Sequence, residues 1–348
     1  MSKKQFGNFD TVNIHFDHMG DRDRALRLLY DLGLHLSDHD PEHVPYREWP
    51  NSTHMIHADF NDREILYCPR PFICAAMCSG GVRFYSVGEF ERIAELGFRK
   101  VPRYPVFHIP HDGEAMPYEL LTDVCIPEET FMAYHNKMRD TDVRLMIPRP
   151  YVAQMQRVFP VSRLLCDVER FPGPEEVMER YGMGFCYEKA YDGTVIKHVT
   201  DAGRMRALVY YRKHHADMDR LCEKHPYMIL FDMHSFSDEI VPHDFPEENH
   251  PTPDVCIGVD RKYTPAALAE IAGRRFREAG FSAEINYPYS GTFVPNAVLS
   301  GKSRCDCISV MLEINKRVYC DPNGDSIPEK LDIIQEIIRR MMTDCVEI

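Results

Sequence analysis

Val106-Phe107-His108-Ile109-Pro110-His111-Asp112-Gly113-Glu114 is an apolar run that ends in a turn carrying a His-x-x-Glu pair. A neutral imidazole and a carboxylate three residues apart, on a rigid bend at a strand end, can both face one divalent ion, and zinc takes this nitrogen and oxygen donor set. Two ligands do not complete a site. The run Met228 to Met233 leads into an isolated histidine, so His234 supplies the third beside His111 and Glu114. Zinc held by two imidazoles and one carboxylate keeps a fourth position for water, whose pKa falls from about 16 towards ~7. A carboxylate such as Glu313, set inside the apolar run Ser309 to Asn315, can take the proton of that water and deliver it to a leaving amine. With an arginine to stabilise the tetrahedral oxyanion, those parts suffice for amide hydrolysis.

Each piece also has an ordinary reading. With 17 histidines in the chain, His-x-x-Glu arises readily by chance, and a histidine at a strand end is often a hydrogen-bonded structural residue. Glu313 can pair with Lys316 or Arg317 as a structural ion pair. The conjunction favours chemistry: polar groups of complementary type terminate or interrupt three separate apolar runs. A carboxylate inside a buried strand is costly unless it has a partner or a task.

The elements that must position these residues read as an α/β domain beginning near Arg99, where short apolar runs alternate with helical patterns. Strands are expected at Val106–Ile109, Met228–Met233, Val255–Val259 and Ser309–Ile314. Helices are expected at Met205 to about Lys224, with Leu208, Tyr211, Met218 and Leu221 inward, and at Glu329–Met342. A further helix over Thr264–Ala279 has Thr264 as cap, Pro265 at its first position and Gly280 as its stop. In an open α/β sheet, ligands gather at the carboxyl ends of strands, where these polar residues fall. From Asn13 to about Leu96 the pattern is different. There a helix with Ala25, Leu28, Leu29 and Leu32 on one face ends at Gly33, among loops rich in His, Asp and Pro such as Ser37 to Pro50. Residues 1–98 are therefore expected to form a small N-terminal α+β extension, and its histidines (His15, His18, His35, His39, His43, His54, His57) read as solvated rather than ligating.

The chain of 348 residues is 44% hydrophobic, ample for a buried core. Its formal charge of -13 and its lack of basic runs interleaved with aromatics count against nucleic acid as a partner. No apolar stretch approaches the ~20 residues that span a bilayer, and the first residues lack the apolar core of a secretory signal. A cytoplasmic protein with no membrane partner is expected; oligomeric state is not legible. The cysteines are scattered, several inside apolar runs (Cys166, Cys256, Cys320), and read as reduced, small hydrophobes. Cys305-x-Cys307 has an unusual spacing for a metal or redox pair and no second pair answers it.

Taken in order, these segments resemble the N-formylglutamate amidohydrolase family. Phe107 to Gly113 followed by Pro117 is similar to its Pro-His-x-Gly motif, Phe231 to Phe236 to its Asp-x-His-Ser element, and Met311 to Tyr319 to its late Glu-Ile-Asn segment with a trailing tyrosine. Between them, Asp167-Val168-Glu169-Arg170 is similar to an Asp-x-Asn-Arg element, Tyr210-Tyr211-Arg212 to His215 to a Tyr-Tyr-Arg-x-x-His helix, and Asn286 to Gly291 to an Asn-x-Pro-Tyr-x-Gly turn. The resemblance runs from Val106 to Tyr319 and implies the α/β fold of zinc carboxypeptidases and aspartoacylases, a phosphorylase/hydrolase-like mixed central sheet flanked by helices, for a catalytic domain at 99–348. It implies Zn2+ on His111, Glu114 and His234, with Glu313 as base. Arg170 then acts at the reacting carbonyl or on an anionic substrate, and Arg212, Asn286, Tyr289 and Ser290 bind substrate. The implied reaction is hydrolysis of a small N-acyl amino acid, N-formylglutamate-like.

Two departures from the family pattern matter. Glu169 stands where the family has asparagine, which sets a negative charge beside Arg170 and weakens the expected preference for glutamate as leaving group. The Pro-His-x-Gly motif does not require Glu at 114, so Asp112 and Asp123 stay open as the carboxylate ligand. Two other functions fit the same parts: a carboxypeptidase-like metallopeptidase, and a non-catalytic small-molecule binding protein whose N-terminal lobe covers or occupies the site.

Overall fold

Among the described residues, the strands of the first hundred positions pair with one another and not with the later ones. The computed structural model describes residues 11–16, 19–36, 55–59, 64–67, 84–95, 102–148, 155–241 and 250–348. Thr11–His15 (β1) is followed by helix Met19–Asp31 (α1), then by strands His35–Leu36 (β2), Met55–Asp59 (β3), Glu64–Tyr67 (β4) and Phe84–Ser86 (β5), and by helix Val87–Glu95 (α2). The five strands form one mixed sheet in the order β2-β4-β3-β1-β5. Ala25, Leu26 and Leu29 of α1 are buried, with Leu28 and Leu32 packed beside them, and Gly33 takes a φ of 84°, the left-handed stop that the sequence suggests. Ile14, Ile56, Phe90 and, from the far end of the chain, Val346 share this core. The small unit comprises residues up to Tyr104 with pieces from 148–155 and 338–348. His57 is half-buried on β3, 2.8 Å from Asn13 Oδ1, so it is not the solvated loop residue expected of it. The loop from Ser37 to Pro50 and His18, His39, His43 and His54 lie outside the described residues.

The larger unit holds a six-stranded mixed sheet. Its strands are Tyr104–Ile109 (β6), Gln156–Val158 (β7), Tyr227–Phe236 (β8), Val255–Gly258 (β9), Ala283–Ile285 (β10) and Asp306–Asn315 (β11), in the order β10-β9-β11-β8-β6-β7. β8 and β11 run parallel through ten paired residues, while β9 is antiparallel to β11. Every residue of β6 and β9 is buried, and in β8 and β11 only the first is exposed. Continuous apolar runs of this kind suit strands covered on both faces. The helices are Tyr118–Leu121 (α3), Glu128–Met138 (α4), Asp201–Lys224 (α5), Ala266–Glu278 (α6), Asn296–Leu299 (α7) and the first part of Pro328–Asp344 (α8), whose residues from 338 onward belong to the small unit. α5 begins four residues before the expected Met205, because Thr200 caps it by accepting from Gly203 N. Pro265, expected inside α6, stands at its cap position, while the Thr264 hydroxyl donates to Ser309 O at 2.7 Å and ties the helix start to β11.

The described cysteines are all free thiols; Cys305 donates to His225 O and Cys307 is buried. No described helix is long and apolar enough to cross a membrane.

Four buried or half-buried histidines of this unit are held neutral. Burial, aided by Arg139, lowers the pKa of His135 to about 4; burial likewise lowers His215 and His225 to about 4 and His214 to about 2. The unfolded chain takes up protons on these groups below about pH 6.5 while the folded chain does not, so stability is full above that pH and falls as pH drops towards 4. The urea midpoint should therefore decrease between pH 7 and pH 5. His135→Gln should remove about 1 kcal/mol of that decrease, allowing for partial screening; an unchanged pH slope would exclude His135 as a contributor.

Candidate active site

Three residues from different elements meet in the larger unit. His234 lies on β8, His111 two residues beyond β6, and Asp140 two residues beyond α4; all three are buried, and one donor atom of each lies within 4.8 Å of the others. The backbone joins two of them, since Asp140 N donates to His111 O at 3.0 Å. Asp140 Oδ2 is 3.3 Å from His234 Nδ1 and 4.0 Å from His111 Nδ1. His111 Nε2 is 2.9 Å from Asp167 Oδ1, which fixes the ring and leaves Nδ1 facing inward. His111 Nδ1 and Asp140 Oδ2 are buried without hydrogen-bond partners. Inward imidazole and carboxylate atoms, with a second carboxylate behind the imidazole, form a donor set that could hold a divalent metal.

Glu114 is not part of this group. Its side chain is 54% exposed and bonds Arg139. Residues 112–114 are non-helical, and Ala115 forms a parallel bridge to Val161, just beyond β7. In extended chain, residues three apart point to opposite sides, so the spacing that brings a pair together on a helix separates it here. Asp112 is buried but turned to Arg144 N, from which it accepts at 3.0 Å; burial raises its pKa to about 6. Asp123 accepts from Thr200 N and Oγ1 at the start of α5. The carboxylate at the centre is Asp140, which the sequence reading missed because it follows a helix instead of ending an apolar strand.

A second layer surrounds the first. His108 Nδ1 donates to Asp232 Oδ1 at 2.8 Å, its Nε2 is 2.9 Å from His214 Nε2, and its ring stacks on Phe293, whose backbone N–H also donates to Asp232. Glu169 stands between the rings, 3.4 Å from His234 Nε2 and 3.7 Å from His108 Nδ1 and from His111 Nε2. His108, Glu169 and Asp232 form a second group of metal-capable donors. In that group His108 and Asp232 already satisfy one another. Burial opposes the charged form of His234, but Glu169, Asp232 and Asp140 outweigh it and hold its pKa well above the ordinary histidine range. Asp167 is held well below the carboxylate range by His111 and Arg163 in spite of burial.

Glu313 pairs in register with His234 across β8 and β11, so both side chains leave the same face of the sheet. Burial, opposed by His234 and reinforced by Asp140 and Glu169, raises its carboxyl to about 8. It opens, with His111 and His234, onto a cavity of about 520 Å³ that Arg163, Arg170, Tyr289 and Ser290 also line. Arg163 went unnoticed in the sequence; its Nη2 donates to Asp167 Oδ2 and to the Tyr187 hydroxyl. Two expected substrate residues are elsewhere. Arg212 is exposed, one position off the stripe of α5 that buries Tyr211, His214, His215 and Met218. Asn286 is exposed in a turn, with φ 56° and its Oδ1 accepting from Val259 N; it shapes the chain leading to Tyr289.

A family model described as N-formylglutamate amidohydrolase matches residues 105–320. Among solved structures, an N-formylglutamate amidohydrolase from Ralstonia eutropha JMP134 is 19% identical over 72% of this chain and 95% of its own, with a TM-score of 0.56, and shares the fold. A gene product from Agrobacterium tumefaciens is 15% identical over 70% of this chain and 91% of its own, with a TM-score of 0.46. No curated protein matches the sequence.

Metal content after dialysis checks the assignment of donors. Asp140→Asn and His234→Ala should each lose stoichiometric divalent metal, and Glu114→Gln should keep it. Retention by Asp140→Asn with loss by Glu114→Gln would reverse the assignment. Tyr319 Oη donates to Thr141 O beside Asp140, so Tyr319→Phe should weaken metal affinity by about tenfold or more, as loss of a supporting partner does.

Proposed function

Since the chain belongs to the N-formylglutamate amidohydrolase family, we propose that its larger unit is a zinc-dependent hydrolase that cleaves the amide bond of a small N-acyl amino acid. The observation that carries this reading is the pairing of Glu313 with His234 across two buried strands, at the wall of a cavity beside the unsatisfied donor atoms of His111 and Asp140. His111, Asp140 and His234 would hold the zinc, two imidazoles and one carboxylate. Bound zinc supplies Lewis acidity, polarising a carbonyl and making water a better acid.

The chain's own groups then account for the remaining steps. Glu313, with its carboxyl raised to about 8, can take a proton from the attacking water and release it to the departing amine without a large change in proton affinity. Arg170 and Arg163 bring fixed positive charge to the cavity, where a guanidinium can orient a carboxylate and stabilise a developing oxyanion. Asp167 holds the His111 ring and, through Arg163, links the two sets of groups. Tyr289, packed on Phe236, and Ser290 bound the substrate space. The fold relationship to zinc carboxypeptidases and aspartoacylases, and a catalytic domain within 99–348, belong to this proposal. The residues assigned to catalysis all come from the larger unit, and the first unit is given no catalytic role.

Glu313→Gln keeps shape and removes basicity. Turnover of N-formyl amino acids should fall by about a hundred- to ten-thousandfold, with metal content unchanged. Near-normal turnover would remove Glu313 from the mechanism, and hydrolysis confined to peptides with a free C-terminus would replace the amidohydrolase with a peptidase.

A further inference from the structure

Four lysine and arginine side chains line the cavity, but three are committed. Lys137 pairs with Glu239 and stands 5.0 Å over the Tyr191 ring. Lys316 Nζ donates to Lys137 O and Arg139 O, and Arg163 donates to Asp167 and Tyr187. Arg170 differs: unlike Arg163, whose Nε is also unpartnered but whose Nη2 donates twice, it makes no side-chain hydrogen bond among the described residues, and its nearest counter-ion there, Asp167 Oδ2, is 4.0 Å away. One uncommitted guanidinium matches one carboxylate. A second carboxylate on the same ligand would meet Glu169, with no other free Lys or Arg among the described lining residues to offset it.

Much of the remaining wall is apolar. Met138, Met178, Met183, Phe236, Ile240 and Met311 all line the space. Thioether side chains are unbranched and polarisable, so they mould to apolar groups of differing shape. The volume of about 520 Å³ also leaves room beyond a formyl group and an amino-acid backbone. The geometry points to a substrate with one carboxylate and a bulky apolar side chain, an N-acyl derivative of a methionine-, leucine- or phenylalanine-like amino acid in preference to glutamate. This inference rests on the amide-hydrolase reading above and narrows its substrate.

The test compares kcat/KM of the purified, metal-loaded protein for N-formylmethionine, N-formylleucine, N-formylphenylalanine and N-formylglutamate. At least one apolar substrate should exceed N-formylglutamate by about tenfold or more, the scale on which a pocket rejects an unpaired charge. Calorimetric binding to Glu313→Gln should follow the same order without depending on turnover. Met178→Lys, at a half-exposed position, should narrow the ratio by improving N-formylglutamate. Turnover of N-formylglutamate equal to or better than all three apolar substrates overturns the inference and leaves amide hydrolysis standing. No turnover and no binding of any of the four removes the amide-hydrolase reading, and the inference falls with it.

Discussion

Buried negative charge is the constraint around which the larger unit is arranged. Asp140, Asp167 and Asp232 are fully buried carboxylates, with Glu169 and Glu313 close by, and a buried carboxylate is tolerable only when donors or cations surround it. The protein answers with imidazoles and arginines: His111 and Arg163 on Asp167, His108 and the Phe293 N–H on Asp232, His234 on Asp140. Those pairings leave His111 Nδ1 without a partner and Asp140 Oδ2 with no more than an ion-pair contact to His234, and both sit where they could meet a divalent ion. The same crowding that calls for a cation raises the proton affinity of the Glu313 carboxyl, so electrostatic cost and proton-transfer capacity have one origin.

Holding Asp140 in place takes several distant parts of the chain. Lys316 donates to the carbonyl before it, Arg139 O, at 2.7 Å; Thr141, after it, donates from its N–H to Ser235 Oγ and accepts from Tyr319 at its carbonyl. The segment that follows Glu313 therefore serves as a brace for a carboxylate more than 170 residues earlier in the chain. Loops hold functional groups well only when their backbone polar groups are bonded to rigid elements, and here the rigid elements are the ends of β8 and β11.

The sequence made β6, β8, β9 and β11 legible because each contains a continuous apolar run, while the three-residue strands β7 and β10 carry no such run, and it made His111, His234 and Glu313 legible because each is a polar interruption at or near such a run. Asp140 and Arg163 carried no comparable signal: one follows an amphipathic helix and the other precedes the apolar pair Leu164-Leu165 in a turn-rich segment. Glu114 shows why spacing alone misleads, since three residues bring side chains together on a helix and oppose them in extended chain. Arg212 failed by a single helical step. For the smaller unit, α1 and its glycine stop were readable, but the contribution of Val346 was not, because nothing local links the chain's last residues to its first strands.

The pairing of β8 with β11 also limits how the molecule can change. Strand side chains alternate with a period of two, so one residue inserted into or deleted from either strand would turn every later side chain to the opposite face. In β11 such a slip would exchange Glu313 for Leu312 or Ile314 and set an aliphatic side chain opposite His234. Length variation is thereby shut out of the two ten-residue strands and confined to the segments that join them, which can grow or shrink without disturbing the meeting of imidazole and carboxylate.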